Sequence, residues 1–508
     1  MPGSRASQSS TEPMSLLRQT FGALKWTAGA KIAQQAIQFV LSAVLMRLLG
    51  PSAFGLVGMV MVFSGFAAIF GELGFGSALV QRQNLSEAHR STVFWLTLGT
   101  GVLLAGTLFA AAPFIAAFYK EPLLKPMTAW LALSFLLSAP GMVSRSLLTK
   151  AMRFDILAKV DVAALTVSGA FAAAAAARGA AVWSLVAQQL VSAGVTSALL
   201  FWFGEWRPHF TWSSTAAREL FGYGAGLTGF NIVNYWARSA DKLLIGNLLG
   251  SVALGLYSRA YSLMLLPLTQ IVSVVTPVMF PAMSAIRDDQ ERLRGVYLRM
   301  ISLLTFITFP MMTGLLVTAR PFVLGIFGAK WVEVVPLIQV LCIVGMLQTM
   351  SNPTGLIYTS QARTDWLFWW GIGSGGTTII AIVIGVFIGS VRSVAIAYMI
   401  ASIILTPPCL AISGRLIQLR LLDLWRAVAG NLLCASFMAI IVWGVFCFLP
   451  PGVGSLAQLF VLVPLGAMLY GVLAYSSRLP VLSQLTEIRL RLASPLNGRV
   501  SPRAGASQ

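Results

Sequence analysis

The sequence predicts an all-α integral membrane protein of about fourteen transmembrane helices, with two pseudo-symmetric six-helix lobes around a central cavity and two extra C-terminal helices. Three observations predict it. Of 508 residues, 57% are hydrophobic and only 10% charged, more apolar surface than a soluble core can bury. One stretch occurs twice: KIAQQAIQFVLSAVLMRLLGPSAFGL from Lys31 returns as NIVNYWARSADKLLIGNLLGSVALGL from Asn231, ungapped and 200 residues later. Lys and Arg are unevenly distributed. With the N-terminus placed in the cytoplasm, the opposite loops hold only Arg47, Lys120, Lys125, Arg178, Arg320, Lys330 and Arg392. That bias puts both termini inside and requires an even number of spans.

The elements follow in order, each close to the 20 apolar residues that cross a bilayer. Spans one to six are expected at about 24–48, 54–79, 92–118, 123–144, 160–177 and 181–203. Gly50-Pro51 separates the first two, and Arg178-Gly179 the last two. Spans seven to twelve are expected at about 221–249, 253–283, 297–318, 334–358, 366–389 and 394–412. The last pair lies at about 428–449 and 456–475. The domains are then a tail over 1–23, an N-lobe over 24–203, a cytoplasmic linker over 204–220, a C-lobe over 221–413, a second linker over 414–427, the last two spans within 428–476 and a tail over 477–508. Six spans per repeat insert both copies the same way up, so the lobes are related by an axis along the membrane normal.

Composition also excludes function classes. The net charge of +19 belongs to cytoplasmic loops and a cationic cavity, not to nucleic-acid binding, because no basic run is interleaved with aromatics. Cys342, Cys409, Cys434 and Cys447 have no metal-ligand spacing and read as packing residues. The first residues, MPGSRASQSSTEP, lack the apolar core of a signal peptide. There is no P-loop, no metal-binding or carboxylate cluster and no cofactor motif. The chain does not read as an enzyme, and no catalytic residue, metal or cofactor is expected.

The candidate site lies on the repeat. Lys31, Gln34, Gln38 and Ser42 step by three or four residues, as do Asn231, Asn234, Arg238 and Lys242 at the matching positions. Each set forms one polar stripe on an apolar helix. Lipid satisfies no such groups, so the stripes must face protein or water. With Arg259 they give a cationic wall against Asp241, which suits a phosphate-bearing ligand. The plain alternative is structural. Arg238, Asp241 and Lys242 can neutralise one another along one helix, the amides can serve as interhelical glue, and Arg259 can snorkel outward. Glu72, in GELGFGSAL, either braces a Gly-rich helix end or joins Asp241 as an ion-coupling carboxylate.

The stretch LLGPSAFGLVGMVMVFSGFAAIFGELGFGSALVQRQNLSEAHRSTVFWLTL, from Leu48 to Leu98, resembles the N-terminal signature of Wzx-type polysaccharide exporters. More narrowly it resembles their colanic acid exporter-like branch, within the multidrug/oligosaccharidyl-lipid/polysaccharide exporter superfamily. The likeness is specific over spans one to three and looser through span twelve. It implies an inner-membrane flippase that moves undecaprenyl-pyrophosphate-linked oligosaccharide for exopolysaccharide, capsule or lipopolysaccharide assembly. It also implies that spans one and seven line the cavity. The partners are then the lipid-linked oligosaccharide and the bilayer, with a polysaccharide polymerase and co-polymerase as further candidates. Three rivals stay open: a lipid II-type flippase, against which the signature after Pro51 argues; a multidrug exporter, whose cationic drugs would want carboxylates; and a scaffold of an assembly complex, which has no use for intramembrane polar stripes.

Overall fold

A computed structural model describes residues 29, 31, 33–72, 76, 79–80, 82, 85–450 and 452–482, except for side chains at 72, 215–231, 233, 234, 237, 238 and 274. The described backbone is helical nearly throughout, with no strand among the described residues. Among the described residues, eleven helices are long and apolar enough to cross a membrane, and twelve if one bent pair counts as a single span. This is the all-α, multi-pass membrane protein that hydropathy predicts. Fourteen spans remain an expectation, because the first expected span begins among undescribed residues.

The helices are α1 (residues 33–48), α2 (Pro51–Glu72), α3 (Glu87–Tyr119), α4 (Leu124–Ser138), α5 (Gly141–Lys150), α6 (Phe154–Ala177), α7 (Trp183–Phe203) and α8 (Ser214–Ala285). They continue as α9 (Gln290–Phe322), α10 (Val334–Ser351), α11 (Thr354–Ser360), α12 (Thr364–Phe387), α13 (Val391–Arg415), α14 (Leu421–Phe448) and α15 (Ser455–Ser476). Glycine and proline set the breaks. Gly179 and Gly389, with φ of 87° and 85°, turn the tight α6–α7 and α12–α13 hairpins in a region that only glycine enters freely. Proline explains two departures from the expected spans. The fourth is bent by 45° between α4 and α5, where Pro140 lacks the donor a continuous helix needs. It then runs on to Lys150, through residues the sequence reads as a polar loop. The tenth is interrupted at Asn352-Pro353 and resumes as α11.

The chain forms two compact units. The first comprises Met1–Arg259, Ile326–Val334 and Ile379–Val394; the second comprises Ala260–Gly325, Val335–Thr378 and Ala395–Gln508.

In the first unit the two copies of the repeat meet. The first breaks at residues 49–50 and restarts at Pro51, a position where a missing N–H costs a helix nothing. The second breaks within α8 at Gly250, with φ 85° and ψ −179°. The helices leaving the two breaks touch backbone to backbone. A Cβ on Gly55 would lie 1.7 Å from the Ser251 carbonyl oxygen, and one on Gly255 would lie 2.0 Å from the Pro51 carbonyl oxygen. Gly55 thus meets residue 251 and Gly255 meets residue 51, the reciprocal pattern of a two-fold contact. Glycines permit this approach, as small residues do at other membrane helix crossings.

In the second unit α14 and α15 pack on α9. The buried Asn431 Nδ2 donates to the Ser302 carbonyl oxygen and to Thr305 Oγ1, both at 2.9 Å. Tyr297, Ile301, Val428 and Ala435 fill the surrounding core. The two final helices are therefore built into that core. Cys342, Cys409 and Cys434 are buried free thiols, as expected of packing residues, whereas Cys447 is exposed.

Candidate functional site

The polar stripes can be placed in part. On α1, Gln34 and Ser42 are half-buried, while Lys31 and Gln38 are exposed. Ser42 Oγ points at Met46 Sδ, 3.9 Å away. Asn231, Asn234 and Arg238 follow one another on the helical backbone of α8, but their side chains, like that of Glu72, lie outside the described residues. Asp241 and Lys242 are half-buried. The Lys242 backbone N–H donates to Asp241 Oδ1 at 2.7 Å, and the Tyr257 side chain lies near the same carboxylate. Asp241 is thus met by groups on both sides of the Gly250 break. No hydrogen bond or ion pair among the described residues joins Lys31, Gln34 or Gln38 to Asp241, Lys242 or Arg259.

Arg259 is half-buried. Its guanidinium carbon sits 4.2 Å from the centroid of the Phe54 ring, a cation–π contact. Its Nε is buried without a hydrogen-bond partner, and no carboxylate among the described residues pairs with it. An uncompensated cation in a low-dielectric setting is costly.

Phe54 is itself held. It is 5% exposed and meets the fully buried Trp331 edge-on, with centroids 5.4 Å apart and planes at 65°. The Trp331 Nε1–H donates to the carbonyl oxygens of Met46 (2.7 Å) and Leu49 (3.3 Å), the open end of α1. Arg47 Nε donates to the Ile326 carbonyl oxygen at 2.7 Å, and Lys330 Nζ to that of Leu48 at 3.1 Å. Residues Ile326–Val334 therefore form a strap across the end of α1, turned by Gly328 at φ 93°. Helix ends leave carbonyls without intrahelical donors, and the strap supplies them.

Sequence reasoning missed Tyr235, Phe54 and Trp331. The Tyr235 hydroxyl donates to the Val62 carbonyl oxygen at 2.6 Å, binding α8 to α2. A Cβ on Gly65 would lie 2.6 Å from that hydroxyl. Tyr235 stands three residues before Arg238, on the same stripe, so helical spacing could have found it. Phe54 carried one signal, a ring four residues past the first break where the second copy has Leu254. Trp331 carried none, because it reaches α1 from a distant loop. His, Cys, Asp and Glu form no group of three or more able to hold a metal among the described residues.

Comparison with known proteins assigns the family. Residues 44–336 match the model of a family described as polysaccharide biosynthesis protein. The chain belongs to this family. It is 31% identical to the teichuronic acid biosynthesis protein TuaB of Bacillus subtilis over 434 residues, covering 85% of this chain and 90% of that protein. It is 30% identical to the lipopolysaccharide biosynthesis protein WzxC of Escherichia coli over 397 residues, 77% of this chain and 80% of that one. The resemblance to Wzx-type exporters carried by Leu48–Leu98 is borne out. Among solved structures the chain is similar to the lipid II flippase MurJ in an inward closed conformation, with a TM-score of 0.68 and 14% identity over 89% of this chain and 98% of that one. An inward-facing multidrug resistance MATE transporter scores 0.57 at 15% identity, over 76% of this chain and 94% of that one. At such identities the likeness speaks for the fold alone.

Proposed function

We propose that this family member is a flippase of the bacterial inner membrane that moves undecaprenyl-pyrophosphate-linked oligosaccharide. Membership of a polysaccharide biosynthesis family and a fold shared with transporters support it. The observation that carries it is Arg259, a half-buried cation set on a ring with no acid partner among the described residues. A structural ion pair needs a carboxylate there; an open cation is suited to an anion that comes and goes.

In this mechanism the N-lobe (24–203) and C-lobe (221–413) enclose a cationic cavity, with both termini cytoplasmic. Arg259, Lys242, Arg238 and Lys31 attract the pyrophosphate, and Gln34, Gln38, Asn231 and Asn234 hydrogen-bond sugar or phosphate oxygens. The polyprenyl chain stays in lipid, and alternating access turns the head group towards the outer side. Asp241, between Lys242 and Tyr257, and Glu72 are the coupling carboxylates. A polymerase and co-polymerase receive the product.

The test is transport of fluorescent undecaprenyl-pyrophosphate glycan by the purified protein in proteoliposomes. Directional movement is expected, and Arg259→Ala should slow it at least tenfold, as loss of a charge-assisted contact does. Equal rates for the two proteins would remove the cationic-cavity mechanism. The lipid II-type alternative keeps a place because of the MurJ-like fold; faster movement of lipid II than of the polysaccharide precursor would select it.

A further inference from the structure

We infer that Phe54 and Trp331 are positioning residues for the anion-binding cation Arg259, and that the Ile326–Val334 strap therefore sets the affinity of that cation for its ligand. This rests on the proposal that Arg259 meets the pyrophosphate.

The chain of contacts is short. Arg259 has no acid to orient it, and its Nε has no acceptor among the described residues. An arginine side chain has several rotatable bonds, and fixing it costs conformational entropy. The Phe54 face, 4.2 Å below the guanidinium carbon, supplies the missing orientation. A ring attracts the cation without neutralising it, so the N–H fork remains available to an oxyanion. A carboxylate in the same place would orient the group but cancel its charge.

Phe54 needs its own support, because a phenyl ring turns about two bonds. Trp331 supplies it edge-on at 5.4 Å. Trp331 is in turn fixed by two carbonyls at the end of α1 and is wholly buried. The strap is thus the base of a stack of strap, Trp331, Phe54 and Arg259. Loosening the strap would let Phe54 rotate and the cation lose its set position. Ligand affinity then falls when the strap detaches from α1, a direct route from a conformational step to release.

The sequence repeat supplies an internal comparison. In the second copy the position of Phe54 is Leu254, and in the first copy the position of Arg259 is Met59. Ring and cation occur as a pair across the two copies, one from each, and neither has a counterpart of its own kind.

The test measures binding of geranyl pyrophosphate, a soluble prenyl pyrophosphate, to the full-length protein in detergent, with thermal unfolding read on the same samples. Phe54→Leu keeps an apolar side chain but removes the ring face, and affinity should fall about three- to tenfold, the range expected when a cation–π contact is lost. Phe54→Tyr restores the face and should restore affinity to within about twofold of wild type. Trp331→Phe removes the indole N–H and should weaken binding by a smaller factor than Phe54→Leu. Arg259→Ala should weaken it at least tenfold. Wild-type binding by Arg259→Ala would overturn the anion role of this site and the inference with it. Weak binding by Arg259→Ala together with wild-type binding by Phe54→Leu would overturn the inference and leave the site standing. If Phe54→Tyr and Phe54→Leu bind equally poorly, or if their losses merely follow a lowered unfolding temperature, Phe54 is a packing residue and the inference fails.

Discussion

The two copies of the repeat share a backbone plan and differ in chemistry. Both break at the glycine of an LLG triplet, and both send out a helix whose glycine, Gly55 or Gly255, lies against the partner copy. On that common frame the first copy places Gln34, Gln38, Phe54 and Met59, and the second places Asn234, Arg238, Leu254 and Arg259. Duplication preserved what the crossing requires and released what it does not. Close backbone contact tolerates no Cβ, whereas the side chains around it are free to differ between the copies.

The comparison can be broken most forcefully at the crossing. Gly55→Ala and Gly255→Ala each drive a Cβ into a backbone carbonyl, and each should destabilise the protein by roughly 3 kcal/mol, in the range of severe overpacking. Thermal unfolding in detergent should show nearly equal losses, and the double variant should lose less than the sum because both strain one contact. A much milder loss for either one would deny the reciprocal crossing.

Making the second copy chemically like the first is the next largest change. Arg259→Met installs the residue of position 59. It should weaken geranyl pyrophosphate binding by about 1.5–3 kcal/mol, the worth of a hydrogen bond to a charged group, and leave unfolding unchanged or slightly improved. Isothermal titration on the same preparation checks both.

Gly65→Ala meets the Tyr235 hydroxyl at 2.6 Å and should cost about 1–2 kcal/mol. Tyr235→Phe in the same chain removes the obstructing oxygen and should recover most of that loss, a coupling that a double-mutant cycle on unfolding free energies measures.

The smallest effect separates the two breaks. Gly250 has φ 85°, so Gly250→Ala should cost about 1 kcal/mol of backbone strain. Gly50 is not among the residues with positive φ, and its Cβ would meet nothing within 4 Å. Gly50→Ala should therefore stay within about 0.5 kcal/mol of wild type. Paired melting curves suffice.

These contrasts also explain how much the sequence disclosed. Hydropathy was enough for an all-helical membrane protein, because lipid leaves few alternatives to a helix. The ungapped repeat marked both breaks, since Gly50-Pro51 and Gly250 are local signals. The cation at position 259 was visible because charge is rare inside spans. Its support was not visible. Phe54 is an ordinary residue of an apolar helix, and its role depends on Arg259, which lies 205 positions away. Trp331 acts through a strap whose contacts with α1 span 282 and 285 positions. No local pattern encodes a contact of that range. The interruptions at Pro140 and Pro353 lay in plain view as prolines, but hydropathy averaged over a whole span passes across them.

The strap has one more consequence, for the order in which the protein is made. The first compact unit includes Ile326–Val334 and Ile379–Val394 as well as everything up to Arg259. When Arg259 leaves the ribosome, α1 still lacks the indole and ammonium that finish its end. At about 5–20 residues per second, the roughly 72 residues from there to Trp331 occupy about 4–14 seconds. Throughout that interval the first helices are inserted but unfinished, with the carbonyls of Met46, Leu48 and Leu49 awaiting their donors. A chain truncated before Trp331 would be left permanently in that state, which makes this interval the one in which membrane quality control has the most to recognise.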